Sequence, residues 1–384
     1  MKPFALLTLA VLSAVGPVDR HGLGNGDWAL GPSDLPHPHG YIAYHTNSRI
    51  KVDGKLDDAA WRTAPWTDPF VDIEGQSRPT PRFDTRVKML WDDRYLYIAA
   101  ELHEPHVWAT LTEHDSVIFH DPDFEVFIDP NGDNWEYYEF EINARGTFWD
   151  LFLPKPYKDG GKADNSWEIP GLKSAVSVDG TINDARDTDR GWTVELAVPW
   201  RVLGEHAGKP WPPRESDQWR INFSRVEWPI DTSSGTYQKP AGAKEDNWVW
   251  SPQHVVNMHR PETWGYVQFS KQQPGAAKFI PDVAWPARRW LMQVYYAQTE
   301  FKKGHGRYAA TLAELHVDLQ AEPLLRDAAM TVDGDRFKAS VSFKYGYRDF
   351  LRTLSVRQDS LLIEERSAMV ESGTTGGPQA SDGV

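Results

Sequence analysis

Apolar and polar residues alternate in short runs through most of the chain between residues 50 and 270. Alternation with a period of two places the apolar side chains of a strand on one face, so each run predicts a strand with one buried face. Several such strands separated by turns favour two packed sheets, and we predict a mainly β fold, an antiparallel, jelly-roll-like β-sandwich. The clearest runs lie at residues 85–91, 96–102, 124–129, 138–143, 192–198 and 219–223.

Turn residues separate these runs. Asp-Gly pairs at 53–54 and 179–180 favour tight turns, because glycine adopts the backbone conformation that such turns require. The segment 129–133 reads Asp-Pro-Asn-Gly-Asp and lies between two alternating runs. It therefore predicts a hairpin loop.

The pattern changes after the last alternating run. Residues 272–275, Gln-Gln-Pro-Gly, are typical of a linker. Apolar residues at three-to-four spacing then predict a helix over 286–303. A short helix at 311–315 and two strands, at 337–343 and 354–363, complete a predicted small α+β unit.

The N-terminus resembles a signal peptide, because Lys2 precedes an apolar stretch over residues 4–15 that ends in small residues. We therefore expect an exported protein, periplasmic or extracellular. No later segment is apolar enough to predict a membrane span. The predicted divisions are a signal peptide at 1–16, a linker at 17–44, the β-sandwich at 45–270, a linker at 271–284, the accessory α+β unit at 285–370 and a disordered tail at 371–384.

Composition narrows the function classes. The 384 residues include no cysteine, which excludes disulfides and thiolate metal sites. The formal net charge of −14 argues against nucleic acid and anionic membranes as partners. The 18 tryptophans suit neutral sugars, whose C–H faces stack on indole rings, although we expect most of them to fill the core.

Six segments together resemble family 9 carbohydrate-binding modules, in the family's order and over about residues 45–270. The resemblance implies a β-sandwich that holds a sugar, often a chain end, between two aromatic rings. It also implies polar side chains around the hydroxyls and, in many members, structural calcium. The segments are 51–61, 87–101, 123–130, 138–146, 195–200 and 259–265.

The resemblance also implies individual carbohydrate-binding residues. Glu125 falls on the family's sugar-contacting acidic position, and Phe119 falls where the family often has a stacking tryptophan. Asn143 matches the asparagine of the following strand. Glu141 departs from the pattern, because some members that bind sugar carry arginine there. Trp250 is the candidate for the second ring.

Several carboxylates offer a catalytic alternative. Glu125, Glu139, Glu141 and Asp150 lie on neighbouring predicted strands, and alternation places the first three on one side together with Asn143. A glycosidase needs two carboxyl groups about 5–10 Å apart across a cleft. We favour contacts to sugar hydroxyls or solvent, and we assign no catalytic residue. The alternative is a hydrolase acting on O-glycosyl bonds.

The sequence also offers candidate ligands for a metal ion and for haem. Asp129, Asn131 and Asp133 alternate in one loop and can supply oxygen ligands to a structural calcium ion, but the closing glutamate of an EF-hand is missing. Met258-His259 offers haem ligands, as in wider sandwich relatives, although a loop before the last strand is the favoured interpretation.

The accessory unit has a looser resemblance. Residues 295–315 are similar to the helix-then-turn of pilin-like globular domains, which suggests docking of a protein partner. The function that we predict is an exported carbohydrate-binding protein that supports polysaccharide breakdown or capture. The alternatives are a glycan-active enzyme and an assembly or haem-type electron-transfer module.

Overall fold

A large curled β-sheet forms most of the molecule, and a helix with a second, smaller sheet follows it. The computed structural model describes residues 35–317, 324–345 and 350–366. The predicted signal peptide and C-terminal tail lie outside the described residues. No helix in the described ranges is long and apolar enough to cross a membrane.

The first unit contains twelve strands and two short helices among the described residues. The helices are α1 (Ala59–Thr63) and α2 (Trp200–Leu203). The strands are β1 (Gly40–His45), β2 (Val71–Asp72), β3 (Thr85–Trp91), β4 (Tyr95–His103), β5 (Asp123–Asp129), β6 (Tyr137–Asn143), β7 (Phe148–Leu153), β8 (Lys173–Asp179), β9 (Gly191–Pro199), β10 (Gln218–Glu227), β11 (Asp246–Val249) and β12 (Gly265–Ser270).

These strands follow the order β7-β6-β5-β10-β12-β1-β3-β4-β9-β8, with β11 and β2 added beside β10. The two halves of the curled sheet face each other across one apolar core, to which β5, β6 and β10 contribute from one half and β3, β4 and β9 from the other. The predicted β-sandwich is confirmed. One detail differs from an all-antiparallel fold, because β1 pairs in parallel with both β12 and β3.

Tryptophan fills much of this interior, as its size and apolar area favour. The indole N–H of Trp91 reaches the carbonyl of Ala43, so its one polar group is satisfied within the core. Tryptophans with less than 2% exposure are Trp61, Trp91, Trp200, Trp219, Trp250, Trp264 and Trp290.

The second unit consists of α3 (Trp285–His305) packed on the sheet β13-β14-β15-β16. The helix ends at Gly306, whose φ of 71° is the left-handed conformation that glycine tolerates best. The four strands are β13 (Leu325–Asp333), β14 (Arg336–Tyr345), β15 (Phe350–Arg357) and β16 (Leu362–Arg366).

Two predictions for this unit need correction, and one strand was not predicted. The short helix predicted at 311–315 is a turn, in which Glu314 accepts the backbone N–H groups of Ala310 and Thr311. The strand β13 was not predicted, because many of its side chains are exposed and polar. The single strand predicted at 354–363 is interrupted by a turn that separates β15 from β16.

The predicted linkers are partly built into the fold. Strand β1 begins at Gly40, inside the segment 17–44. Within the segment 271–284, the carbonyl of Lys278 and the N–H of Ile280 both hydrogen-bond the side chain of Gln268 on β12. The second linker therefore packs along the sandwich.

A buried charged group joins the two units. Lys158 donates to both carboxylate oxygens of Glu262, at 2.9 and 3.0 Å, and to the hydroxyl of Tyr296 on α3, at 2.8 Å. Arg260 Nε donates to the same carboxylate at 3.1 Å. We call Lys158, Arg260, Glu262 and Tyr296 the interface cluster.

Candidate functional site

A cleft of about 300 Å³ lies on one half of the curled sheet, on the face opposite the sandwich core. Strands β2, β5, β6, β7, β10 and β11 form this part of the sheet. Its acidic and amide lining comes from Glu125, Glu139, Glu141, Glu245 and Asn247. Its aromatic lining comes from Phe119, Phe127, Trp149, Tyr157 and His259.

Strand register explains why these side chains meet. Glu125 on β5 is paired with Glu141 on β6, which is in turn paired with Trp149 on β7. Phe127 and Glu139 form the next pair on the same face, two residues along each strand. Directly paired residues of neighbouring strands lie on the same face of a sheet. The register therefore places these side chains in one row across β5, β6 and β7.

Four carboxylates, Asp123, Glu125, Glu139 and Glu141, lie together on this face, and we call them the acidic floor. Each is at most 4% exposed. One oxygen of Asp123, one of Glu125 and one of Glu139 is buried without a hydrogen-bond partner. Ligand oxygens of Asp123, Glu125 and Glu141 lie within 4.8 Å of one another. Within the described ranges, no basic side chain forms an ion pair with any of the four.

Burial and mutual repulsion both disfavour charge on this floor. Burial raises the pKa of Glu125 to about 7. Burial, and after it the charge of Glu125, raises the pKa of Glu139 and of Glu141 well above the usual range. Unpaired buried carboxylates cost free energy, and they are found where a ligand or a proton compensates them.

Aromatic side chains surround the floor. Tyr157 is 44% exposed and its ring packs edge-on against His259, with centroids 4.4 Å apart. His259 Nδ1 lies 3.0 Å from the hydroxyl of Tyr137, and burial lowers the pKa of His259 to about 3, so the imidazole is neutral. The buried indole N–H of Trp149 has no hydrogen-bond partner. The cleft thus combines ring surfaces with unsatisfied donors and acceptors.

Two of the four predicted carbohydrate-binding residues line this cleft. Phe119 is half-buried at its edge, and its backbone N–H donates to Glu141 Oε2 at 3.0 Å. Glu125 lies on the acidic floor. Glu141, the departure from the family pattern, lies beside it and supplies a carboxylate where an arginine would supply a positive charge.

The other two predicted residues lie elsewhere. Trp250 is 1% exposed within the sandwich core, where its ring packs against Phe223 with centroids 6.0 Å apart. Asn143 is fully buried: its amide nitrogen donates to Leu111 O and to Asp121, and its amide oxygen accepts two backbone N–H groups. These positions give no support to direct sugar contacts by Trp250 or Asn143.

Sequence reasoning missed Trp149 and Tyr157 as lining residues. Trp149 carries a usable signal, since it alternates with the core-facing Phe148 and Asp150 at a strand that follows the Glu141 strand. Tyr157 carries none, because it lies in a single-turn 3-10 helix after β7 (Tyr157–Asp159), which is too short to show a periodic pattern. Asp150, grouped with the acidic strands by sequence, points to the other side and accepts the N–H of Ile169.

The carboxylates of the loop at 129–133, considered as possible calcium ligands, are engaged by hydrogen bonds within the loop. Both carboxylate oxygens of Asp129 accept backbone N–H groups, from Gly132 and Asn134. Asp133 is likewise bonded to Asn131 and to the N–H of Trp135. In the part of the chain that is described, two groups could converge on one metal ion: Asp123, Glu125 and Glu141 of the acidic floor, and the set of His114, Asp150 and Glu168.

The candidate haem ligands are also engaged with protein. The sulfur of Met258 lies 3.3 Å from the side-chain nitrogen of Gln253, and His259 is bonded to Tyr137. Met258 contributes to the apolar cluster beneath the cleft. The haem interpretation gains no support from this arrangement.

The fold and the cleft define a β-sandwich protein of the ligand-binding class. Residues 52–270 match the family described as carbohydrate family 9 binding domain-like, which covers more than half of the chain. The chain belongs to this family, as its six sequence segments predicted.

The curated relatives that match include an exoglucanase and an endo-1,4-beta-xylanase. The chain is 27% identical over 198 residues to exoglucanase XynX of Acetivibrio thermocellus, a match that covers 50% of this chain and 16% of that enzyme. It is 29% identical over 198 residues to endo-1,4-beta-xylanase A of Thermoanaerobacterium saccharolyticum, covering 50% and 14%. The matched region is therefore a small part of either relative.

Solved structures with a related arrangement include a family 9 carbohydrate-binding module from Caldicellulosiruptor kristjanssonii in complex with cellotriose. It shares 15% identity and a TM-score of 0.38, over 63% of this chain and 98% of that one. A putative carbohydrate-binding protein from Bacteroides uniformis shares 16% identity and a TM-score of 0.44, over 61% and 100%. Likeness at this level carries no inference about binding residues.

Proposed function

We propose that the cleft binds a carbohydrate, and that the protein is exported and supports capture or breakdown of polysaccharide. The observation that carries the proposal is the combination of aromatic rings and unsatisfied buried polar groups in one cleft, in a member of this family. Aromatic rings stack on the C–H faces of a sugar, while carboxylates accept hydrogen bonds from its hydroxyls. The signal-peptide pattern at residues 1–16 and the polysaccharide-degrading relatives support export.

Within this proposal, Phe119 and Glu125 keep the roles expected of them. Trp149 and Tyr157 take the place of Trp250 as ring partners, because they line the cleft and Trp250 does not. Asn143 has a structural role, because its side-chain amide hydrogen-bonds the backbone of Leu111 and of Arg145 and so holds these two segments together. Glu141 favours a ligand with a positive or strongly hydrogen-bond-donating group over an anionic sugar.

Isothermal titration of the full chain with xylo- and cello-oligosaccharides tests the proposal. Phe119→Ala and Trp149→Ala should each weaken binding at least tenfold, since each removes a ring surface from the cleft. The matched control is Trp211→Ala, because Trp211 is 47% exposed and lies outside the cleft. Absence of binding to every oligosaccharide, or equal affinity in Trp149→Ala and the wild type, would contradict it.

The hydrolase alternative stays a prediction. Oxygens of Asp123, Glu125 and Glu141 lie within 4.8 Å of one another, whereas the two carboxyl groups of glycosidases are about 5–10 Å apart. We therefore make no catalytic assignment. Release of reducing sugar from polysaccharide by the wild type, lost in Glu125→Gln, would favour that alternative.

The docking of a protein partner by the second unit likewise stays a prediction, tested by pull-down with the full chain.

A further inference from the structure

We propose that the acidic floor is a binding site for a divalent cation, with Ca²⁺ as the best match, held by Asp123, Glu125 and Glu141. This site is separate from the loop at residues 129–133. It lies inside the cleft, on the face where the sugar is proposed to bind. The proposal does not depend on sugar binding, because the ligand oxygens come from the protein alone.

The spacing of the three carboxylates fits one ion. Calcium–oxygen distances are about 2.3–2.6 Å, so two oxygens on one ion are at most about 5 Å apart. The relevant oxygens of Asp123, Glu125 and Glu141 are all within 4.8 Å of one another. One point between them therefore lies within about 2.8 Å of all three, and a small movement of the side chains brings it to bonding distance.

Each of the three has an oxygen to offer. Asp123 Oδ1 accepts the N–H of Val226, which leaves Oδ2 buried without a partner. Glu125 Oε2 is also buried without a partner. Glu141 Oε2 accepts the N–H of Phe119, an arrangement that fixes the carboxylate in place. The protein thus orients the three side chains and leaves coordination positions open.

Glu139 is an independent sign that a positive charge belongs here. It lies outside the three-oxygen group but lines the same cleft, is 4% exposed and has a buried oxygen without a hydrogen-bond partner. Its charge interacts with those of Glu125 and Glu141. When all four carboxylates are ionised, water cannot screen their mutual repulsion at this depth, and a bound cation would offset it.

The chemistry of the donors favours calcium over softer metals. All ligands are carboxylate oxygens, and none of the three residues is histidine. Calcium takes six to eight oxygens in flexible geometry, and the cleft of about 300 Å³ leaves room for waters or sugar hydroxyls to complete the set.

Titration calorimetry without sugar tests the site. The full chain, freed of metal with EDTA and dialysed, is titrated with CaCl₂, and its thermal midpoint is measured with and without the ion. We expect saturable 1:1 binding and a higher midpoint with Ca²⁺. Glu125→Gln and Glu141→Gln should each weaken Ca²⁺ binding at least tenfold. The control is Glu168→Gln, which alters the other acidic group, at His114 and Asp150, and should bind like the wild type.

Several outcomes would overturn the proposal. One is no binding of Ca²⁺, Mg²⁺ or Mn²⁺ at millimolar concentration. A second is loss of binding in Glu168→Gln with retention in Glu125→Gln. A third is binding of glucosamine without any metal binding, which would assign the floor to an ammonium group. The metal-free midpoints of the two glutamine variants show that they fold. Because no sugar is present, failure here leaves the carbohydrate proposal standing.

Discussion

Two buried groups of charged side chains, the acidic floor and the interface cluster, lie close to each other in the structure. The neighbouring residues Tyr157 and Lys158 each lie at one of them. Tyr157 lines the cleft above the acidic floor, while Lys158 enters the interface cluster. In the interface cluster, two basic side chains and one tyrosine hydroxyl surround one carboxylate. On the acidic floor, four carboxylates have no basic partner among residues 35–317, 324–345 and 350–366.

The carboxylates respond in opposite ways to similar burial. Burial alone would raise the pKa of Glu262, but the charges of Lys158 and Arg260 lower it to about 2. Glu125 is equally buried without such partners, and burial raises its pKa to about 7. The two carboxylates are buried to a similar extent, so the presence of basic partners, and not the extent of burial, explains why their pKa values shift in opposite directions. An unpaired buried carboxylate is therefore the better candidate for a ligand-binding residue.

The largest effect should come from breaking the paired group. Lys158→Met removes the central cation of the interface cluster. It also removes the three hydrogen bonds that Lys158 donates, two to Glu262 and one to the Tyr296 hydroxyl. Because breaking a buried ion pair costs about 3–5 kcal/mol, and Arg260 remains, we expect a loss of about 3 kcal/mol in the free energy of unfolding. Guanidinium denaturation measures it. Lys162→Met is the control, since Lys162 is exposed, and an equal loss there would refute the idea.

Replacing a charged residue of the acidic floor with methionine should raise the free energy of unfolding, whereas Lys158→Met should lower it. Glu139→Met replaces an unpaired buried carboxylate with an apolar side chain of similar length, beside Phe127 and Leu151. Relief of the desolvation penalty should stabilise the metal-free protein by about 1–2 kcal/mol. Denaturation in EDTA, compared with Glu205→Met at an exposed position, gives the measurement. Destabilisation would mean that Glu139 has a partner within the fold.

Lowering the pH should reduce the contribution of the interface cluster to the free energy of unfolding, because Glu262 becomes protonated. Its pKa is about 2 in the folded protein against an ordinary value of 4.5, so its stabilisation is complete above about pH 5 and is lost as the pH falls toward 2. At pH 4 the loss should be about 1 kcal/mol relative to pH 7. The measurement is the stability difference between the wild type and Glu262→Gln, which should shrink as the pH falls. A difference independent of pH would contradict the assignment.

Much of the site was accessible from sequence because it follows strand periodicity. Alternation placed Glu125, Glu139 and Glu141 on one face, and the structure confirms that face. Trp250 shows the limit: a tryptophan in an alternating segment has the same pattern whether it faces the core or a ligand. Here its backbone N–H is bonded to Phe223 O, and its ring lies inside the sandwich.

Asn143 shows a second limit. It lies on the expected strand face, yet the segment around Leu111, more than thirty residues earlier, folds over its amide group. Conversely, Trp149 reaches the cleft through the β6–β7 register, and Tyr157 reaches it from a short 3-10 helix after β7. Such contacts depend on chain paths that periodicity does not encode.

The sequence by itself determined the β-sandwich, the helix α3, the family and the side of the sheet on which the acidic residues lie, because these follow from local periodicity and ordered motifs. The tertiary structure alone decided which charges are paired. Glu262 meets Lys158 across 104 residues of sequence, and the acidic floor meets no basic side chain in the described part of the chain. Electrostatic energy depends on distance and solvent exposure, and folding sets both.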